Sequence, residues 1–182
     1  MKLSILIPIK ETYLPIYKRL KSQLQDQITE DCEVLELIND GSKSIGYYRN
    51  ELLNTAIGKC VCFIDADDTI AHDYIAQVME GIDKDVDCCS LMGIITTNGM
   101  HPTLFEHSIK YNAYQLTNKY ERYPNHLNVI KRNIAIQFEF KDISFGEDTD
   151  WATQIKNSGL IKTEHYIEKP IYFYEYITQK SY

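Results

Sequence analysis

The sequence predicts an α/β protein: parallel strands joined by right-handed crossovers, with helices covering both faces of the sheet. Two observations carry this. Short β-branched runs alternate with stretches of helical periodicity through the first half of the chain. Two of those runs end in turn-forming, acidic clusters, NDGS and DADD. In open sheets of this kind, ligands bind outside the carboxyl ends of the strands.

The elements follow in order. LSILIPI (3–9) is short, apolar and β-branched, and reads as a buried strand. Over 14–28, Tyr17, Leu20, Leu24 and Ile28 recur at helical spacing, with Lys18, Arg19, Lys21 and Gln25 on the other face. EVLELI (33–38) is a second strand, and NDGS turns the chain. Over 44–57, Ile45, Tyr48, Leu52 and Ala56 mark a second helix, with Gly58 as its stop. KCVCFI (59–64) is a third strand. A third helix over 71–82 turns Tyr74, Ile75, Val78, Met79 and Ile82 inward. VDCCSLMGIIT is a fourth strand. Residues 98–128, with Tyr111, Tyr114, Tyr120, Tyr123, His101, His107 and His126, have weak periodicity and read as partly irregular and exposed. A helix starts near Asp148 and is capped by Gly159, and 164–177 supply one or two closing strands.

Composition narrows the function classes. The 182 residues are 44% hydrophobic and 25% charged, enough for one sizeable domain and few for two. A net charge of -7 disfavours a nucleic-acid or anionic-membrane surface. No apolar run reaches membrane-spanning length, so stable membrane insertion is not expected. The opening MKLSILIPIK lacks a small-residue cleavage site and reads as a strand. Cys32, Cys60, Cys62, Cys88 and Cys89 are odd in number and lack paired metal-ligand spacing. They predict free thiols in a reducing cytoplasm.

The carboxylates carry the chemistry. Asp65 and Asp67 follow the third strand. If that strand persists through them, both project from one face, with Cα atoms roughly 6.6 Å apart. That spacing suits a hard divalent cation, Mg2+ or Mn2+, which completes its shell with water and phosphates. The alternative is a solvated turn. Asp68 is assigned to the N-cap of the next helix. In NDGS, Asn39 and Asp40 form a turn, and Asp40 is placed to accept hydrogen bonds from a base or ribose. In GEDTDW, Glu147 and Asp148 either complement a helix dipole or supply a general base. There is no Gly-rich phosphate loop, no Gly-x-Ser-x-Gly elbow and no His-Glu-x-x-His helix.

The order LSILIPI, LINDGS, GYYRNELLNTAIGKCVCFIDADD, FGEDTDW resembles the inverting family-two glycosyltransferases of the GT-A fold, a Rossmann-like mixed sheet flanked by helices. The resemblance is close over 1–82, looser over 83–125, and returns over 126–176. It implies one domain, with a nucleotide-sugar-binding half (1–97) and an acceptor-binding half (98–182). The donor it implies is a nucleotide sugar, a UDP-sugar first, and the acceptor a hydroxyl of a glycan or another molecule, modified nucleic acid included.

The resemblance also implies roles. Pro8, Lys10 and Glu11 would border the nucleoside. Asn39 and Asp40 would face the base, and Arg49 the base or diphosphate. Asp65 and Ala66 would lie at the ribose, and Asp67, with Asp65, would hold Mn2+ or Mg2+. Asp148 would be the catalytic base, with Glu147 beside it at the acceptor. Trp151 is either a support for the acceptor or a core residue. Two departures stand out: Asn39 replaces a common Asp, and IYFYEYIT lacks a following His. His165 is the nearest substitute. A nucleotidyltransferase and a noncatalytic nucleotide-sugar-binding module are the competing readings.

Overall fold

The computed structural model describes residues 1–112 and 115–177. Tyr114 and the last residues of the tyrosine-rich tail, from Thr178, lie outside them. The first sheet opens with β1 (Leu3–Lys10), β2 (Cys32–Asn39) and β3 (Cys60–Phe63), which run parallel. Between them come a single turn of 3-10 helix (Glu11–Tyr13), α1 (Leu14–Gln25) and α2 (Ile45–Thr55). After β3 follow β4 (Thr69–Ile70), α3 (Tyr74–Asp83), β5 (Cys88–Cys89), β6 (Leu91–Thr97) and β7 (Met100–His107). The remaining elements are β8 (Gln115–Leu116), β9 (Tyr120–Arg122), β10 (Ile130–Lys131), α4 (Arg132–Ala135), α5 (Glu147–Ser158), β11 (Glu164–His165) and β12 (Tyr172–Tyr176).

Two mixed sheets result. The first has the order β11-β5-β10-β3-β1-β2, with β10 antiparallel to both β3 and β5. The second has the order β4-β12-β6-β7-β9-β8. The first half therefore begins a parallel sheet, as its alternation predicts, and one antiparallel strand, β10, is inserted between β3 and β5. Both sheets draw strands from both halves of the chain.

β1 is buried on both faces, which is why it is a near-continuous apolar run. Its side chains alternate. Leu3, Ile5, Ile7 and Ile9 pack with Tyr17, Leu20 and Leu24 of α1 and with Tyr74, Ile75 and Val78 of α3. Leu6 faces the other way, with Val61, Phe63, Leu52 and Leu53, and with Trp151 and Ile155 of α5. Helices thus cover both faces of the first sheet. Among the described residues, no helix is long and apolar enough to cross a membrane. All five cysteines are buried free thiols.

Several expectations are corrected. α1 ends at Gln25, so Ile28 is exposed instead of completing the apolar stripe. Gly58 does not stop α2, whose last residue is Thr55. It permits close approach, since a Cβ there would meet the Ser4 nitrogen at 2.6 Å. VDCCSLMGIIT is two strands in different sheets, because the chain passes from one to the other at Ser90. Among the described residues, 98–128 hold three strands, with His107 and His126 buried. Trp151 is a core residue: it stacks on Phe140 at 4.8 Å, and its Nε1 donates to the Phe138 carbonyl. Gly159, in the left-handed region, does cap α5.

Candidate active site

The carboxyl ends of β1, β2 and β3 open onto a crevice of about 730 Å3. Pro8, Lys10 and Glu11 line it from the end of β1, and Asn39 and Asp40 from the end of β2. Arg49 reaches it from α2. Asp65, Ala66 and Asp67 lie in its wall after β3, and Glu147 and Asp148 at the start of α5. These eleven residues, read from the sequence as ligands or catalysts, therefore line one crevice.

Local sequence explains the positions. β3 ends at Phe63, and 65–68 form a turn closed by the Asp68 N–H to the Asp65 carbonyl at 3.0 Å. The extended Asp-x-Asp geometry is thus replaced by a turn. In NDGS both side chains cap their own loop. Asn39 Oδ1 accepts from the Gly41 N–H, and Asp40 Oδ1 from the Ser42 N–H, each at 2.9 Å. The Tyr48 hydroxyl also donates to Asp40 at 2.6 Å. Hydrogen bonds from Ser42 and Tyr48 hold the Asp40 carboxyl down to about 2.

Beneath the crevice runs a chain of charge. Arg49, 4% exposed, donates from Nη2 to Asp65 at 3.0 Å and from Nε to Glu147 at 3.2 Å. Its guanidinium also lies over the Phe63 ring, 5.2 Å from the centroid. Glu147 is itself buried, so it braces Arg49 from below while Asp148 faces outward. Burial would raise the Asp65 carboxyl, but Arg49 and His126 outweigh it and hold it well below the usual carboxylate range.

His126 was not legible as a site residue. It sits between the two key acids: Nε2 is 3.5 Å from Asp65 Oδ2, and Nδ1 is 3.7 Å from Asp148 Oδ2. No local pattern in YPNHLNV marks it; long-range pairing with β3, through its own carbonyl to the Phe63 N–H and through β10, brings it there. His165 does not enter the crevice. It lies at the sheet edge beside Lys84 and Glu80.

Asp68 is not a helix cap. It is 3% exposed, and its Oδ2 accepts from the Tyr172 hydroxyl at 2.6 Å, while Oδ1 has no hydrogen-bond partner. Burial, with the nearby Asp65 charge, pushes its carboxyl well above the usual range. Tyr172 also accepts from the Asp65 N–H at 3.2 Å, clamping the acidic turn. Asp65, Asp68, His126 and Asp148 line a smaller cavity of about 280 Å3 adjoining the crevice, walled by Phe105, Tyr120, Leu127 and Tyr174.

No group of three or more His, Cys, Asp or Glu side chains forms a metal cage among the described residues. A hard cation that relies on one or two carboxylates plus substrate phosphates needs no such cage. Asp67, in the crevice wall beside Asp65, fits that pattern.

Known proteins agree with this architecture. S. aureus TarS 1-349 in complex with UDP superposes with a TM-score of 0.75 at 16% identity, over 96% of this chain and 60% of that one. The same protein in complex with UDP-GlcNAc gives 0.73 at 14% identity, over 96% and 58%. At such identities the likeness is one of fold, and this chain spans about 60% of the length of TarS 1-349. No curated protein sequence matches. The model of the family described as glycosyl transferase family 2 matches residues 18–144, well over half of the sequence. With its GT-A fold and its acids gathered at the strand ends, the chain belongs to glycosyl transferase family 2.

Proposed function

We propose that the protein is a metal-dependent, inverting glycosyltransferase that moves a sugar from a nucleotide-sugar donor to an acceptor hydroxyl. The observation that carries this is the meeting of the Asp65–Asp67 turn and Asp148 across one crevice, with His126 between them. TarS, of the same fold, has been captured with UDP and with UDP-GlcNAc, which supports a UDP-sugar as donor here.

In this reading the domain is single, its first half (1–97) serving the donor and its second (98–182) the acceptor. Asn39 and Asp40 face the nucleobase, Pro8, Lys10 and Glu11 border the nucleoside, and Asp65 and Ala66 the ribose. Arg49 acts from below, keeping Asp65 ionised and in place. Asp67, with Asp65 beside it, would hold Mn2+ or Mg2+. The ion supplies positive charge to the departing nucleoside diphosphate when bound. Asp148 takes the proton of the acceptor hydroxyl. The oxygen attacks the anomeric carbon as the bond to the diphosphate breaks on the opposite face, and that in-line displacement inverts the centre. Free, buried cysteines suit a reducing, cytoplasmic setting.

The test is a thermal-shift panel of nucleoside diphosphates and nucleotide sugars with and without Mn2+, followed by a nucleotide-release assay on the stabilising donor. Binding raises the melting point by mass action. A donor that binds without ever releasing nucleoside diphosphate, whatever hydroxyl acceptor is offered, would reject catalysis. Release of pyrophosphate from a nucleoside triphosphate would reassign the reaction to nucleotidyl transfer.

A further inference from the structure

His126 enters the site from the segment between β9 and β10. Its main chain is tied to the end of β3, since its carbonyl accepts from the Phe63 N–H at 2.8 Å. The ring packs against Phe63, with centroids 6.2 Å apart, and is 5% exposed. Thus fixed, its two nitrogens face two carboxylates on different elements: Asp65 after β3 and Asp148 on α5. Neither nitrogen has a hydrogen-bond partner at ordinary distance. Leaving buried polar atoms unpaired is costly. Catalytic hydrogen bonds are often long before substrate binds and tighten in the complex. At 3.5 and 3.7 Å, each gap closes with a shift of a few tenths of an ångström.

Asp148 has little else to hold it. Its Oδ2 lies 4.0 Å from Arg122 Nη1, and its Oδ1 faces the adjacent Thr149 hydroxyl at 3.4 Å. On Asp65, by contrast, Arg49 already sets the carboxylate. We propose that His126 is a positioning residue, a strut from Asp65 that fixes the carboxylate of Asp148 relative to the donor. The proposal rests on the reading of Asp148 as the base. It adds that the base's orientation is set from the donor side of the crevice and not by α5 alone.

Three variants separate donor chemistry from packing. His126→Phe fills the same space without donors. His126→Asn keeps a donor where Nδ1 stood, facing Asp148, and His126→Gln keeps one where Nε2 stood, facing Asp65. The phenylalanine variant is expected to lose about 10- to 100-fold in kcat, the cost of a misplaced catalytic group, with UDP affinity by calorimetry nearly unchanged. The asparagine variant should recover more kcat than the glutamine variant. Wild-type kcat in His126→Phe, or equal recovery by both amides, would overturn the strut. A second readout is independent of activity: crystals of wild type and His126→Phe soaked with UDP and Mn2+. The Asp148 carboxylate should turn or split between rotamers in the variant, and an unmoved Asp148 overturns the proposal. If wild type transfers no sugar, the proposed function fails, while the rotamer comparison still decides the strut.

Discussion

Arg49 Nε donates to Glu147 Oε1 at 3.2 Å across 98 positions of sequence, and both side chains are buried. This pair joins α2 to α5 and so fixes where Asp148, the next residue, stands. Breaking a buried pair from one side leaves an uncompensated charge, which costs about 3–5 kcal/mol. Arg49→Met is therefore expected to be strongly destabilising by urea denaturation. The double variant Arg49→Met/Glu147→Gln should recover part of that loss. Simple additivity of the two single losses would show that the pair is not coupled.

Asp148→Asn removes the proposed proton acceptor and retains the shape. Sugar transfer should fall by about 10²–10⁴-fold, the range general-base catalysis supplies. Nucleoside-diphosphate binding should hold, because Asn39 and Asp40, the residues assigned to the nucleobase, are left intact. Calorimetry paired with single-turnover transfer measures both.

Asp67→Ala should abolish the stimulation of UDP binding by Mn2+ and leave metal-free binding nearly unchanged. Titrating UDP with and without the ion, in wild type and variant, reads the difference. A variant still stimulated by Mn2+ would move the metal away from Asp67.

Gly46, in the first turn of α2, packs against the 141–143 loop, and a Cβ there would clash with the Lys141 carbonyl oxygen. Its N–H also donates to the Ile143 carbonyl at 3.2 Å. Gly46→Ala must push that loop outward, and with it the chain entering Gly146 and α5. Thermal melting should show a loss of about 1–3 kcal/mol, and transfer should fall more than donor binding.

Glu106 on β7 provides a pH signature outside the crevice. It is 1% exposed and takes hydrogen bonds from Lys110, Lys119 and the Tyr166 hydroxyl. Burial alone would raise its carboxyl, but these partners overcome it and hold it down to about 2, from an ordinary 4.5. A carboxyl depressed in the folded state stabilises above its unfolded pKa, and that stability is lost as pH falls toward the folded one. Wild type should therefore lose stability between pH 4.5 and about 2, and Glu106→Gln should flatten that part of the profile in acid melts.

The parallel sheet was legible because local period reports burial directly. Leu3, Ile5, Ile7 and Ile9 alternate as a strand does, and Tyr17, Leu20 and Leu24 recur as a helix does. The acids were legible because turns after buried strands collect at one sheet edge. What failed was anything set by long-range pairing. Asp68 looks like a cap in sequence, yet Tyr172, 104 positions on, claims it. His126 belongs to no periodic segment, and its main-chain bond to Phe63 and a two-residue antiparallel strand bring it to the crevice. Trp151 carries no local sign of whether it faces a ligand or the interior; its stacking on Phe140 decides that.

The insertion of β10 beside β3 also has a consequence for biosynthesis. During synthesis the edge of Cys60–Phe63 emerges long before Ile130–Lys131 can pair with it. For that interval a nascent chain on the ribosome presents an unpaired, apolar strand edge, the kind of surface that invites misassociation. Chaperone engagement should therefore peak while those intervening residues are translated and decline once β10 clears the exit tunnel.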